Sequence, residues 1–447
     1  MAVTVLHVSQ PTEAGVAVIA AHLAEHQVAA GWTVAVACPP TEAGPDGPRP
    51  SWLARAAGAG GARVLGWEAT RSPGRTAFAE ADRLRTLIRE VRPDLVHLHS
   101  SKAGLAGRLA LRGSLPTVFQ PHAWSFEAVS GPTRIAALRW EKWATRWTDL
   151  TICVSAREQQ DGERAGIRGT FAVVPNGVDT EAFTPGDRTA ARAAVGVPGD
   201  RPLALVLGRL CPQKGQDILL DVWPTVLDRL PDAQLALVGD GPDREALAAR
   251  IAADPRLAGS VLLPGATEDA LSWYRAADLL VVPSRWEGMA LAPLEAMACG
   301  CPVVGFEVAG VRESLPPRWA ERSLAAPGDG PALAALVSRA LAETAGTGSA
   351  SGTDEVAGPP REPAAAGAPR PEEGPGLYQS PVSASAAGSP AGLAISAPDR
   401  LSAQVTAEAR RWVLDHHSIA QTADSVSDCY SRHSGGRVSL LHRASNL

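Results

Sequence analysis

Residues Pro283–Val304 read PSRWEGMALAPLEAMACGCPVV. An apolar strand-like run, Asp278–Val282, ends in a short polar loop. The loop opens a helix, LAPLEAMA, and a second short apolar strand follows at Pro302–Gly305. Strand, loop, helix and strand at this spacing make a βαβ unit. Two carboxylates, Glu287 and Glu295, flank the turn with seven residues between them. One is in the loop and one about two helical turns on, so they can reach two different parts of one extended ligand. Between them the backbone N–H groups of Met289, Ala290, Leu291 and Ala292 lie at or near the helix start. Unpaired donors and a partial positive charge of about half a unit make such a terminus an anion site. Pro293 suits a first-turn position, since it lacks only an N–H that the helix leaves unused. A phosphate in the middle with hydroxyl-rich groups on either side describes a nucleotide sugar. The competing reading is an ordinary βαβ unit with two solvated glutamates, the usual fate of a helical glutamate. What shifts the balance is the company these residues keep elsewhere.

At 447 residues, 45% of them hydrophobic, the chain has room for two domains, or two plus a tail, with sizeable cores. A net charge of −5 and a pI near 6.1 argue against a general nucleic-acid binder, which would carry a basic excess. Lysine occurs only at Lys102, Lys142 and Lys214 while arginine and alanine abound, a pattern of GC-rich, bacterial coding. The six cysteines (Cys38, Cys153, Cys211, Cys299, Cys301 and Cys429) form no CxxC pair and no metal-ligand cadence, so free thiols in a reducing compartment are expected. The start, VTVLHVS, enters a strand pattern without a basic or apolar leader, and no apolar run approaches the ~20 residues that span a bilayer. A cytoplasmic location is expected.

The first half alternates strand candidates (Val3–Val8, Thr33–Ala37, Leu95–Leu98, Val118–Gln120, Leu150–Val154, Phe171–Val174) with helical patterns (Val16–Ala30, Ala77–Val91, Leu105–Leu111, Ile135–Trp147, Ala156–Ala165). That alternation predicts a doubly wound parallel sheet, whose ligands gather at the carboxyl ends of the strands. Gly15 follows the first strand and lets backbone come close to a ligand; a plain tight turn explains it equally. HLHSSKAG places His97, His99, Ser100 and Lys102 in a strand-end loop, and FQPHAWSF places His122 just past the next strand. In RIAALRWEKWATRW, Trp140, Trp143 and Trp147 fall at i, i+3 and i+7 with Arg139, Lys142 and Arg146 interleaved. The favoured reading is a core-facing aromatic stripe; the second is an interfacial helix in peripheral contact with an anionic inner membrane. A turn at VVPNGVD (Pro175–Asp179) closes the first domain, and a polar stretch to Asp200 bridges to the next.

The second βα series has strand candidates Leu203–Leu207, Gln234–Val238, Val261–Leu263, Leu279–Val282 and Pro302–Gly305. Its helical patterns are Gln216–Leu230, Arg244–Ala253, Ala270–Ala276, Leu291–Ala298 and Ala332–Leu341. Its first turn, GRLCPQKGQD, holds Arg209 and Lys214, a fork and a point cation that can neutralise a diphosphate. It is neither a GxxxxGK[ST] nor a GxGxxG loop, and GAGGAR at Gly58–Arg63 lacks the final glycine and follows a helical stretch. LVGDGP supplies Gly239 and Asp240 at another strand-to-helix turn. No DxD triplet occurs, so no carboxylate pair for Mg²⁺ or Mn²⁺ is in view, and Arg209, Lys214 and the helix terminus before Glu295 can balance the charge without a metal. From about 344 to 400 the composition turns to Ala, Gly, Pro, Ser and Glu, which reads as a disordered insertion. Helical patterning resumes at Leu401–His416 and Ser418–Tyr430. The expected division is therefore 1–180, then 200–343 with 401–432, interrupted by 344–400.

With GRLCPQKG, LVGDGP, AADLLVVPSRWEGMALAPLEAMACGCPVV and VAGVRE in this order, the chain resembles the family 4 glycosyltransferases of the GT-B fold, two Rossmann-like doubly wound domains facing across a cleft. The resemblance covers nearly everything except 344–400. It implies that Glu295 binds the ribose hydroxyls, that Glu287 faces the transferred sugar, and that Arg209 and Lys214 hold the diphosphate. It further implies that the amides of Gly288, Met289, Ala290 and Leu291 contact sugar and distal phosphate, that His122 lies beside the reacting sugar, and that Gly15 lies beneath the phosphates. It implies retaining transfer without a metal or other cofactor, from a nucleotide-sugar donor to a glycan or lipid-linked acceptor, in cell-envelope or exopolysaccharide assembly. The family often has a double glycine where this chain has Ala14-Gly15, and Phe-Gly where it has Met289-Ala290. Two other readings stand beside it: a GT-B nucleotide-sugar 2-epimerase, and a non-catalytic scaffold on the same fold.

Overall fold

The computed structural model describes residues 3–345 and 403–433, apart from 45–46, 71–73, 75 and 200. The first half carries β1 (Thr4–Ser9), β2 (Thr33–Cys38), a hairpin of β3 (Thr41–Gly44) and β4 (Gly47–Pro50), then β5 (Arg63–Gly66), β6 (Leu95–His99), β7 (Thr117–Gln120), β8 (Leu150–Cys153) and β9 (Phe171–Val173). Outside the hairpin these strands form one parallel sheet in the order β5-β2-β1-β6-β7-β8-β9. The second half carries β10 (Leu203–Leu207), β11 (Gln234–Val238), β12 (Val261–Gly265), β13 (Leu279–Val282), β14 (Val303–Phe306) and β15 (Leu324–Ala325), parallel in the order β12-β11-β10-β13-β14-β15. Helices cover both faces, which is why the strands read as near-continuous apolar runs.

In each sheet the order reverses beside the first strand, between β1 and β6 and between β10 and β13. The crevice at such a reversal, beyond the strands' carboxyl ends, is where a doubly wound sheet takes a ligand. The loops there in the second half are Gly208–Gly215 and Pro283–Ala290. Those in the first half hold Ala14-Gly15 and Ser100. The two halves share one buried apolar cluster, running from Val5 and Leu95 through Val174 and Met289 to Leu205 and Val303.

Several elements differ from the expectation. The hairpin, β5, β15 and the helix Trp52–Ala59 are too short to carry a periodic signal. GAGGAR is the turn between that helix and β5, with Gly61 at φ 85°. The polar stretch before Asp200 contains a helix, Arg188–Val195, capped by Asp187, whose carboxylate accepts from the Thr189 and Ala190 amides. Its Arg192 is fully buried, donating to Asp278 Oδ2 at 2.6 Å and to the Ala276 carbonyl at 2.9 Å. A charged residue facing inward disguised the helix as linker.

The tryptophan stripe faces the core only in part: Trp140, against buried Arg108, and Trp147 are half-buried, and Trp143 is exposed. In the helix Gly131–Ala144 only Glu141 and Ala144 are buried, while Trp143 is 41% and Ile135 55% exposed. Trp140, Trp143 and Trp147 instead pack on one another, and the Arg146 guanidinium lies 4.6 Å above the Trp143 ring. The inward side of this helix is held by a buried ion pair, Arg108 Nη2 to Glu141 Oε2 at 2.7 Å.

The closing helices divide between the halves. Ala403–His416 packs on Leu291–Ala298, whereas Ile419–His433, which the sequence assigned to the second domain, packs on Ala14–Ala29 of the first. The chain turns there because Val178 donates to the His417 carbonyl and accepts from the Ile419 amide. The second helix then buries Ala423, Val426 and Tyr430 against the first half. The insertion expected at 344–400 lies outside the described residues from 346 on.

Candidate active site

The loop after β10 is a 3-10 turn, Pro212–Lys214, followed by Gly215 at φ 68°. A Cβ on Gly215 would overlap the Pro283 carbonyl, so glycine here lets the β10 loop close onto the β13 loop. Lys214 Nζ then donates to Glu287 Oε1 at 2.6 Å, and Ser284 Oγ donates to the same oxygen at 2.7 Å. Glu287 is buried, whereas Lys214 is a quarter exposed at the mouth. Arg209 is half-buried and makes no ion pair among the described residues; its Nε donates to Cys211 Sγ at 3.4 Å. Gly208 lies beside the Lys214 stem, so an unpaired guanidinium and a paired ammonium share one loop.

Gly239 seats on the Gly208 carbonyl from the neighbouring β11 loop. The Asp240 side chain is exposed and accepts from the Gly241 amide at 2.6 Å, while its carbonyl accepts from the Leu210 amide at 2.8 Å. The pair therefore braces the Arg209 loop from behind.

Helix Leu291–Ala298 buries six of its eight residues, and its N-cap, Ala290, offers no side-chain hydrogen bond. With alanine at the N-cap the first-turn amides carry no capping oxygen and stay available to an anion, and Pro293 at the third position lacks an N–H of its own. Leu291 packs beside Gly15, where a Cβ would stand 3.5 Å from Leu291 Cγ. Met289 is buried and its carbonyl accepts from Asn176 Nδ2 at 2.8 Å. Gly288 presses on His122, and a Cβ there would come within 2.9 Å of the His122 carbonyl. Gly310, at φ 74°, leaves no room for a Cβ beneath the Gly288 carbonyl, so VAGVRE backs the loop. Its Glu313 also reaches across, accepting from the Ala156 and Arg157 amides of the first half at 2.7 and 3.0 Å.

Glu295 Oε2 accepts from the Tyr274 hydroxyl at 2.6 Å. Burial pushes its carboxyl up to about 6, against the opposing pull of that hydrogen bond. Glu287 and Glu295 thus sit in different surroundings, one beside an ammonium and one beside a phenol.

On the facing side, His122 just past β7 has φ 57° and Ala123 φ 124°. Glu158 holds this turn, its Oε1 accepting from the Ala123 amide at 2.7 Å. Burial raises the Glu158 carboxyl to about 8 and lowers His122 to about 3. His97 and His99 are not in a loop; both lie inside β6, fully buried. Lys102 is buried in the helix Ser100–Leu111, 2.7 Å from Glu80 Oε2. The residues missed in the sequence are Ser284, Tyr274, Asn176, Glu158 and His7. Only His7 gave a readable signal, a polar residue in the middle of an apolar strand.

Residues 14–182 match the family model Glycosyltransferase Family 4, and residues 201–343 match Glycosyl transferases group 1. The chain belongs to the family 4 glycosyltransferases. An Escherichia coli UDP-Gal:alpha-D-GlcNAc-diphosphoundecaprenol alpha-1,3-galactosyltransferase is 30% identical over 236 residues, 51% of this chain and 61% of that protein. A Geodermatophilus obscurus D-inositol 3-phosphate glycosyltransferase is 35% identical over 246 residues, 50% of this chain and 54% of that protein. The chain thus spans between half and two thirds of the length of these relatives. Among solved structures, Anabaena HepE in complex with UDP and glucose superposes with a TM-score of 0.71 at 19% identity, covering 96% of this chain and all of that one. Sucrose-phosphate synthase from Thermosynechococcus elongatus superposes with a TM-score of 0.70 at 21% identity, covering 96% and 98%. The fold of this family 4 chain is GT-B. No helix among its described residues is long and apolar enough to cross a membrane.

Proposed function

We propose that the chain is a retaining, metal-independent glycosyltransferase that moves a sugar from a nucleoside-diphosphate sugar to a glycan or lipid-linked acceptor in cell-envelope or exopolysaccharide assembly. The observation that carries this reading is the joined mouth of the second sheet. There Lys214, Glu287 and Ser284 form one hydrogen-bonded group beside Arg209, which has no carboxylate partner among the described residues, facing His122 across Gly288. Arg209, Lys214 and the uncapped start of helix Leu291–Ala298 supply fixed positive charge where a pyrophosphate leaves, which stabilises the departing nucleotide without a divalent ion. Glu295 accepts from the ribose hydroxyls. Glu287, held by Lys214 and Ser284, accepts from hydroxyls of the transferred sugar. Glu158 is turned onto the Ala123 and Val154 amides, so it offers no free nucleophile behind His122. That arrangement favours a mechanism in which the departing phosphate takes the acceptor's proton on the same face.

A lipid-linked acceptor fits the exposed helix Gly131–Ala144, where Ile135 and Trp143 stand among Arg134, Arg139 and Lys142. Apolar tips with basic neighbours suit a peripheral stay at an anionic surface. The Escherichia coli relative is named for an alpha-D-GlcNAc-diphosphoundecaprenol acceptor.

The test incubates purified protein in EDTA with a panel of nucleoside-diphosphate sugars, with and without glycan and lipid-diphosphate acceptors. Nucleotide release that depends on an acceptor, with a product of unchanged anomeric configuration, is expected. An epimerised donor formed without acceptor, or transfer that requires Mg²⁺, would contradict the reading. Binding to vesicles that rises with their anionic lipid content, and falls in the double variant Ile135→Ser, Trp143→Ser, checks the membrane contact.

A further inference from the structure

Four imidazoles line up behind the first-half strand ends. His7 and His97 are register partners on β1 and β6, His99 is two residues further along β6, and His122 follows β7. His7 Nε2 lies 2.8 Å from Gln27 Oε1, His7 Nδ1 lies 2.9 Å from His99 Nε2, and His99 Nδ1 lies 3.3 Å from His122 Nε2. Gln27, His7 and His99 are fully buried; His122 alone is open on one side. Burial lowers the His7 ring to about 4 and His122 to about 3, and His99 well below its ordinary value, so all three are neutral at physiological pH. A neutral imidazole carries one ring proton, so each bond in the row fixes the next. Gln27 Oε1 can only accept, which places the His7 proton on Nε2. His7 Nδ1 is then bare and accepts from His99 Nε2. His99 Nδ1 is bare in turn and accepts from His122 Nε2.

We propose that Gln27, His7 and His99 are positioning residues that hold His122 as the Nε2–H tautomer, leaving its Nδ1 lone pair for a sugar or acceptor hydroxyl. This rests on the proposed function for the meaning of that lone pair, though not for the proton order. The row sets a direction across the first sheet: turning the Gln27 amide so that its Nε2–H faced His7 would reverse every bond, present an N–H at the site and repel a donor hydroxyl. The left-handed backbone at His122 and Ala123 is consistent with this, since strain gathers where a side chain is held to one orientation. A metal shared by His7, His97 and His99 is the competing use, as their nitrogens lie within 4.8 Å of one another. The direct His7–His99 bond, complete burial and lack of a carboxylate in the group disfavour a dication there.

Long-range ¹H–¹⁵N spectra of histidine-labelled protein read the tautomer of each ring without substrate. In the wild type, His7, His99 and His122 are expected as Nε2–H. In His7→Phe, which does not touch His122, the His122 signals should move toward the Nδ1–H form, and His7→Asn, whose amide oxygen replaces Nδ1, should restore them. Gln27→Leu tests the far end of the row should His7→Phe fold poorly. In transfer assays His7→Phe should lower kcat by about tenfold with the donor KM unchanged, the scale for losing an outer partner of a functional histidine. An Nδ1–H His122 in the wild type, or a His122 tautomer unmoved in both His7→Phe and Gln27→Leu, overturns the proposal. So does a stoichiometric shift of the three buried rings on adding zinc alone. Should the wild type transfer no sugar at all, the proposed function falls while the spectra still decide the proton order.

Discussion

The two strand-end surfaces that meet at Gly288 are built from opposite materials. The second half presents charge on a backbone opened by glycine: Arg209, Lys214 and Glu287 over Gly215, Gly239 and Gly310. The first half presents neutral rings and residues with side chains in the left-handed region, Ala14 at φ 61°, Ser100 at 73°, His122 at 57° and Ala123 at 124°. A surface for a pyrophosphate needs fixed cations and bare amides at close range, which glycine permits. A surface for uncharged hydroxyls, the role proposed for the first half, needs an oriented acceptor without charge, which the half-buried His122 would supply. Among the described residues of the second half only glycines have positive φ; the first half accepts roughly 1 kcal/mol or more at each such residue to aim its side chains.

If the charged half does the electrostatic work, Lys214→Ala should lower kcat by roughly two to three powers of ten, and it should also lower the melting temperature, because buried Glu287 loses its ammonium partner. Near-normal turnover would shift that work elsewhere. Gly310→Ala should be next in size. Its methyl group has no room beneath the Gly288 carbonyl, and a loss of about 3 kcal/mol or more in denaturant unfolding is expected. An unchanged midpoint would mean that the loop under Gly288 is free to move.

The same contrast explains what the sequence disclosed. In the second half the readings Leu203–Leu207, Gln234–Val238, Leu279–Val282 and Leu291–Ala298 coincide with the elements, because each is an apolar run closed by glycine, proline or a polar loop. In the first half the polar residues that matter lie inside strands. His7 and His97 fall inside the strand candidates Val3–Val8 and Leu95–Leu98, but a parallel strand is expected to stay apolar, so His7 goes unremarked and His97 groups with His99 in the loop. The helix Arg188–Val195 hid behind a buried arginine, and the Tyr274–Glu295 bond joins residues 21 apart with no local cue. Sequence periodicity reports faces and boundaries; it does not report which buried polar groups find one another.

A moderate effect distinguishes the two glutamates. Because burial lifts Glu295 to about 6, it is charged above that pH and protonated below it, and in the proposed role only the carboxylate would accept fully from two ribose hydroxyls. Donor affinity should therefore rise as pH increases through about 6 and level off above 7. Glu295→Gln should bind about tenfold more weakly at pH 8, roughly the value of one charge-assisted hydrogen bond, and lose the pH step. A step that persists in the variant would assign it to another group. The smallest effect tests the strained half: Ala14→Gly should relieve the left-handed alanine and change stability by less than about 1 kcal/mol, with unaltered kcat. A large loss would show that the Ala14 methyl group packs usefully.

Calorimetric titration of UDP and GDP in EDTA would show whether the second half grips a pyrophosphate by its own charges. The comparison is between wild type and the double variant Arg209→Ala, Lys214→Ala. Binding of at least one nucleotide that is unaffected by EDTA and weakened more than tenfold in the double variant is expected. Binding that needs a divalent ion, or that survives intact without both side chains, would contradict it.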